Sequence, residues 1–374
     1  MTEGASAIRS EPATASGRKL DKRRALQVAA SIVLIAAVFV YALPKFADYS
    51  SVWATITSMT WLELLTIAAI ALWNLVTYWF VMVASLPGLN YWQAMKVNLT
   101  STAIANTLPG GGALGVGVTT AMFSSYGFTP TQIGLSIVVS GVWNNFVKLG
   151  MPVVALALLA LGGGVGGALV TAALAGVAGL VAAVVIFALI LRSEEAAARI
   201  GNSIDPLVRR LTQLVRRRAP SASTADALTR FRANTIVLLE SRWLPLTVAT
   251  LVSHVSLFLV LLVAMRHVGV SAAEVSWEEC LAAFSFVRLL TALPITPGGL
   301  GVVELGATAA LVAAGGDREE VVAAVLVYRA LTYLPPIPLG LVAYLFWRRG
   351  AKGRAERVAA RRRAQAGDLD EVSP

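Results

Sequence analysis

The chain has 374 residues, 57% of them hydrophobic and 14% charged, with a mean hydropathy of +0.71 and a formal net charge of +10. A soluble domain carries about 25% charged residues, so this composition excludes an ordinary soluble enzyme. The apolar runs are continuous and reach about 20 residues, enough to cross a hydrocarbon core of about 30 Å, and their lack of alternation excludes a membrane β-barrel.

In chain order, residues 1–24 read as a basic, disordered cytoplasmic tail. An apolar run at 25–43 follows, expected to stay as an uncleaved first span, since no small-x-small cleavage pattern ends it. A second span is expected at 61–86. Residues 91–126 are apolar but interrupted by Leu108-Pro109-Gly110-Gly111-Gly112. A span at 132–161 leads through a glycine-rich turn, 162–167, into another ending near Leu191. Residues 192–242 form a basic loop containing Arg209, Arg210, Arg216, Arg217 and Arg218. They read either as an amphipathic helix near the headgroups or as a solvated linker. The second half has a span at 244–265, a segment at 279–314 broken by Leu293-Pro294-Ile295-Thr296-Pro297-Gly298-Gly299-Leu300-Gly301, and a last span at 321–347. A basic tail, 350–374, ends the chain. The expected fold is an all-α polytopic membrane protein with about 6 full spans plus 2 broken hairpins, its transmembrane domain covering residues 25–349.

The basic residues cluster. Of 31 Lys and Arg, six lie in residues 1–24, ten in 192–242 and eight in 348–374. The positive-inside rule then places both termini and the middle loop in the cytoplasm, beside anionic headgroups. No base-reading motif accompanies the charge, so nucleic acid is not expected. One cysteine, Cys280, and two histidines, His254 and His267, give no disulfide and no expectation of a zinc site. No cofactor is expected. Gly110-Gly111-Gly112-Ala113-Leu114-Gly115 lacks the lysine of a P-loop.

The halves share one order: span, broken hairpin, span. Repeat one covers about 61–161 and repeat two about 243–347. Trp143 to Pro152 sits opposite Val327 to Pro336 without a gap. With the basic clusters inside, each broken segment returns to the side it left, and the repeats are inverted, a plan used by secondary transporters. Proline removes a backbone donor and glycine runs unwind a helix. Such backbone at membrane depth must be buried in protein or line a wet cavity. Pro109, Gly110, Gly111, Pro297, Gly298 and Gly299 are therefore candidate hinge and cavity-lining residues; close helix packing at the glycines is the plainer reading.

Ionisable residues at bilayer depth cost roughly 2.5–3.5 kcal/mol on insertion scales and mark candidate sites. Arg288, Glu304 and Arg329 flank the second break and are candidates to bind a lipid phosphate, or to form a structural ion-pair network. Asn106 and Asn145 are further binding candidates in the first half, beside Asn74, Asn98, Asn144 and Lys148; such asparagines also tie helices together. His254 is a candidate for proton coupling, or a hydrogen-bonding partner for a neighbouring helix.

These residues carry a family resemblance. Leu293-Pro-Ile-Thr-Pro-Gly-Gly-Leu-Gly-Val-Val-Glu304, with Arg329, a proline-rich stretch and Gly340, resembles the second-half signature of the lysylphosphatidylglycerol synthase transmembrane-region, or flippase-like, family. Asn106-Thr-Leu-Pro-Gly110 resembles its first-half signature. The sequence departs where relatives often carry Gly-Glu and an arginine after the first break: here stands Gly115-Val-Gly117-Val-Thr-Thr. A charged pair common in the next helix is here Trp143-Asn144-Asn145. Synthase members also carry a large aminoacyl-transferase domain, which this chain is not expected to contain. The resemblance therefore implies a lipid flippase or transporter and not an enzyme. The cargo would be a phosphate-bearing lipid: an aminoacylated or anionic phospholipid, or a polyprenyl-linked sugar. The expected setting is a bacterial plasma membrane. The alternative is an accessory protein that scaffolds an envelope-synthesis enzyme at the basic middle loop.

Overall fold

The computed structural model describes residues 36–45, 48–108, 110–161, 167–214, 224–291 and 296–350, with 29, 33 and 353 as isolated positions. The tail 1–24, about half of the predicted span 25–43, Pro109, residues 162–166 of the glycine-rich turn, Arg216 to Arg218, the Leu293-Pro294-Ile295 run and the basic tail beyond 350 apart from 353 lie outside the described residues.

Among the described residues there are twelve α-helices with given bounds and no strand. They are α1 (Tyr49–Ser58), α2 (Trp61–Ser85), α3 (Tyr91–Thr107), α4 (Gly111–Ser125), α5 (Pro130–Leu161) and α6 (Gly167–Arg192). The rest are α7 (Glu194–Leu214), α8 (Thr224–His267), α9 (Trp277–Leu290), α10 (Val302–Ala313), α11 (Arg318–Tyr333) and α12 (Pro336–Arg349). Among the described residues, five stretches are long and apolar enough to cross a membrane: Trp61–Ser85, Pro130–Leu161, Leu174–Arg192, Leu228–His267 and Arg318–Arg349, the last joining α11 and α12. The protein is a multi-pass, all-helical membrane protein.

Local chemistry sets the helix starts. The first arms of both hairpins open with a capping box, Asn90 with Gln93 on α3 and Ser276 with Glu279 on α9. Thr60 with Glu63 does the same for α2, and the Asp317 carboxylate accepts from Glu319 and Glu320 N–H at the start of α11. Each such cap satisfies donors that a helix start otherwise leaves bare.

The hairpin arms are short, with 17 and 15 residues in α3 and α4 and 14 and 12 in α9 and α10. At 1.5 Å per residue each arm is about 26 Å long or less, below the hydrocarbon thickness.

Two expectations are corrected. The span expected from residue 244 is the inner part of a 44-residue helix that starts at Thr224 and runs through Pro245. Arg242 marks where apolar sequence begins, not where the helix begins. The aligned prolines also differ. Pro152 sits inside the continuous α5, whereas Pro335 and Pro336 separate α11 from α12. One missing N–H can be absorbed by a helix; two in succession end it.

The packing is crosswise. α2 lies along α8, α3 along α12, and α5 along α9. Each half thus sets its first hairpin arm against the other half's closing helix. At the α3–α12 crossing a Cβ on Gly340 would collide with the Leu99 carbonyl oxygen and Ala103 Cβ, so glycine permits the backbones to touch. The largest apolar core belongs to the second half, where Leu257, Phe258, Leu261, Phe284, Leu311 and Val325 are buried together.

Candidate functional site

The two breaks meet. After α3 the chain passes Gly110, whose φ of 67° is left-handed, and α4 starts without a side-chain cap. After α9 it makes a short 3-10 turn at Pro297–Gly299, with Gly298 at φ 57° and Gly299 at φ 71°. A Cβ on Gly298 would sit 2.5 Å from Tyr333 Cε2 and 2.7 Å from Asn106 Oδ1. Only glycine fits there, on conformation and on space.

Between the breaks lies a cavity of about 870 Å³. The first half lines it with neutral polar groups, Asn74, Tyr78, Asn98, Thr102 and Asn106, and with Gly110, Gly111 and Gly112. The second half contributes Phe284, Arg288, Thr291, Thr296, Pro297, Gly298, Gly299, Tyr328, Arg329, Thr332 and Tyr333, among others. The volume is within the range of sites for small ligands.

The two arginines differ. Arg329 Nε donates to Glu304 Oε1 at 2.6 Å, and its Nη2 donates to the Gly298 carbonyl at 3.1 Å. Its guanidinium also stacks on the Tyr333 ring, 4.6 Å from the centroid. Glu304 is 1% exposed, and its second oxygen accepts from Gly301 N–H at 2.6 Å. The carboxylate thus caps α10 and neutralises Arg329 at once. Arg288 lines the same cavity, yet its guanidinium has no hydrogen bond or ion pair among the described residues, and its Nε is buried without a partner.

Tyr333 and Asn106 join the halves. Tyr333 Oη donates to the Asn106 carbonyl at 2.5 Å, and Asn106 Nδ2 donates back to the Tyr333 carbonyl at 3.2 Å. Asn74 Nδ2 donates to the Ser253 carbonyl and to Ser256 Oγ, both at 2.8 Å, tying α2 to α8.

The candidates from the sequence therefore separate. Arg288, Arg329, Asn106, Gly110, Gly111, Pro297, Gly298 and Gly299 line one cavity. Glu304 lies directly behind Arg329. His254 is 1% exposed and outside the lining; its Nδ1 meets the Thr250 carbonyl at 2.9 Å, while Nε2 is buried without a partner. Asn145 is exposed on α5 and does not reach the cavity. Pro109 is outside the described residues. Sequence reasoning missed Tyr333, although an aromatic four residues after Arg329 shares its helix face. It also missed Tyr78 and Thr102, for which no local signal exists.

A family model described as Lysylphosphatidylglycerol synthase TM region matches residues 28–340. No curated protein matches the chain.

Proposed function

This chain belongs to the lysylphosphatidylglycerol synthase TM-region family, and from that premise we propose that it moves a phosphate-bearing lipid between leaflets. One observation carries the reading: a largely apolar cavity of about 870 Å³ lies between two helix breaks and contains an arginine, Arg288, without an ion-pair or hydrogen-bond partner among the described residues. The headgroup occupies this cavity while the acyl or prenyl tails stay in the bilayer. Arg288 takes the phosphate, for which a planar guanidinium fork is well suited. Asn98, Thr102 and Asn106 offer hydrogen bonds to the remainder of the headgroup.

The two halves act as inverted repeats that rock about the cavity. The crosswise pairing of α3 with α12 and of α9 with α5 supports this, because exchanging the halves exchanges those two contacts. The glycine segments at Gly110 and Gly298 serve as hinges, and the Asn106–Tyr333 bonds hold one end closed. Both termini and the loop 192–242 face the cytoplasm of a bacterial plasma membrane.

The test is transfer of nitrobenzoxadiazole-labelled phosphatidylglycerol in proteoliposomes, read by dithionite quenching. The full chain is expected to expose label from the inner leaflet faster than empty vesicles do, and Arg288→Ala to abolish the gain while the protein stays folded. Equal rates with and without protein would overturn the reading and favour a scaffold docked through the basic loop.

A further inference from the structure

We infer that the cavity selects anionic lipid phosphates over aminoacylated, net-cationic lipids, and that Arg288 sets this preference. The inference rests on the reading of the cavity as the headgroup site.

The charge around the cavity is one-sided. Its charged lining residues are Arg288 and Arg329, and no Asp or Glu lines it among the described residues. The nearby carboxylate, Glu304, has both oxygens engaged by Gly301 N–H and Arg329, and is 1% exposed. A lysyl headgroup carries two ammonium groups. The cavity offers neither of them a free carboxylate, only carbonyls, amides and hydroxyls.

Arg288 has no ion-pair or hydrogen-bond partner for its guanidinium among the described residues, and its Nε is buried. A cation without a counter-charge in a low dielectric is unfavourable, and so is a buried donor without an acceptor. An entering phosphate relieves both conditions, while an entering ammonium adds a like charge. The resulting discrimination works by repulsion as much as by attraction.

The shared chemistry is a phosphate monoester or diester on a lipid. It has two sources, a glycerophospholipid and a polyprenyl phosphate, which the experiment separates. The full chain is placed in nanodiscs with equal amounts of phosphatidylglycerol, a polyprenyl phosphate and lysylphosphatidylglycerol, and retained lipid is read by native mass spectrometry. One of the two anionic lipids is expected to exceed lysylphosphatidylglycerol by about tenfold, and which one does so names the source. Arg288→Ala is expected to bring the ratio toward one, while Arg288→Lys keeps it above one. Melting curves confirm that each variant is folded, and the wild-type ratio is decisive even where a variant is not. Equal or greater retention of lysylphosphatidylglycerol by the wild type, or no retention of either anionic lipid, overturns the inference. The proteoliposome assay, repeated with each lipid, separates the two claims. A preference in binding without movement defeats only transport; equal movement of all three lipids defeats only selectivity.

Discussion

The first and second helix breaks have the same position in their halves but are held by different chemistry. The second is clamped by its own charges: Glu304 caps α10 and pairs with Arg329, which holds the Gly298 carbonyl. The first has no carboxylate, and α4 begins on a left-handed Gly110 without a side-chain cap. The surroundings match this contrast. The best membrane-spanning windows of α8 and of α11–α12 are 56% and 50% buried within the protein, against 28% and 17% for α2 and α5. We propose that the break held by an internal ion pair within a dense core is the stiffer of the two hinges, and that the break made of glycine and amides, in the half less buried within the protein, is the freer one.

The largest effect expected from disturbing this contrast comes from Glu304. Glu304→Ala leaves Arg329 unpaired and uncaps α10, at a cost of about 3–5 kcal/mol. The purified variant should melt well below wild type, or fail to accumulate. Adding Arg329→Met to it should recover part of that loss, since an apolar replacement of the pair removes the stranded charge.

Glycine substitutions sharpen the comparison next. Gly298→Ala forces an alanine into left-handed backbone against Tyr333 and Asn106, costing about 1–3 kcal/mol. Gly112→Ala adds a Cβ that meets nothing within 4 Å, and a helix gains from alanine over glycine, so stability should hold or rise by about 0.4–1 kcal/mol. Thermal denaturation of the two variants side by side checks the asymmetry.

A smaller change is expected at the seam. Tyr333→Phe loses the bond to the Asn106 carbonyl, about 1 kcal/mol, and weakens the link between the breaks. A faster dithionite-accessible exchange of labelled lipid with a slightly lower melting temperature is the expected signature. The smallest effect on stability belongs to Arg288→Ala, within about 0.5 kcal/mol, because no internal partner is lost. Its effect on lipid retention should nevertheless be the largest of the series, and parallel melting and lipid-binding measurements show whether the two properties separate.

Much of this architecture is legible in the sequence, for physical reasons. Span length follows from bilayer thickness, so α2, α5 and α6 fall where apolar runs of sufficient length occur. Breaks follow from Pro-Gly runs that cannot remain helical. Helix ends hidden inside polar sequence are not legible: α8 starts 18 residues before Arg242, because a charged helix docked on α7 shows no apolar run. Partnership is also not legible. Arg288 and Arg329 look alike in sequence, and only the fold sets Glu304 against one of them. Asn145 and Lys148 lie on the same helix, three residues apart, yet the first is exposed and the second is half-buried. That choice of face depends on where α9 packs, which no spacing within α5 reveals.

The central claim is that phosphate binds the arginine without a partner and not the one already paired. Its most direct test is a cryo-electron microscopy structure of the full chain in phosphatidylglycerol nanodiscs. The account predicts headgroup density in the cavity with its phosphate within hydrogen-bond distance of Arg288, and the Glu304–Arg329 pair intact. Phosphate on Arg329 with that pair broken, or a cavity without lipid, would contradict it.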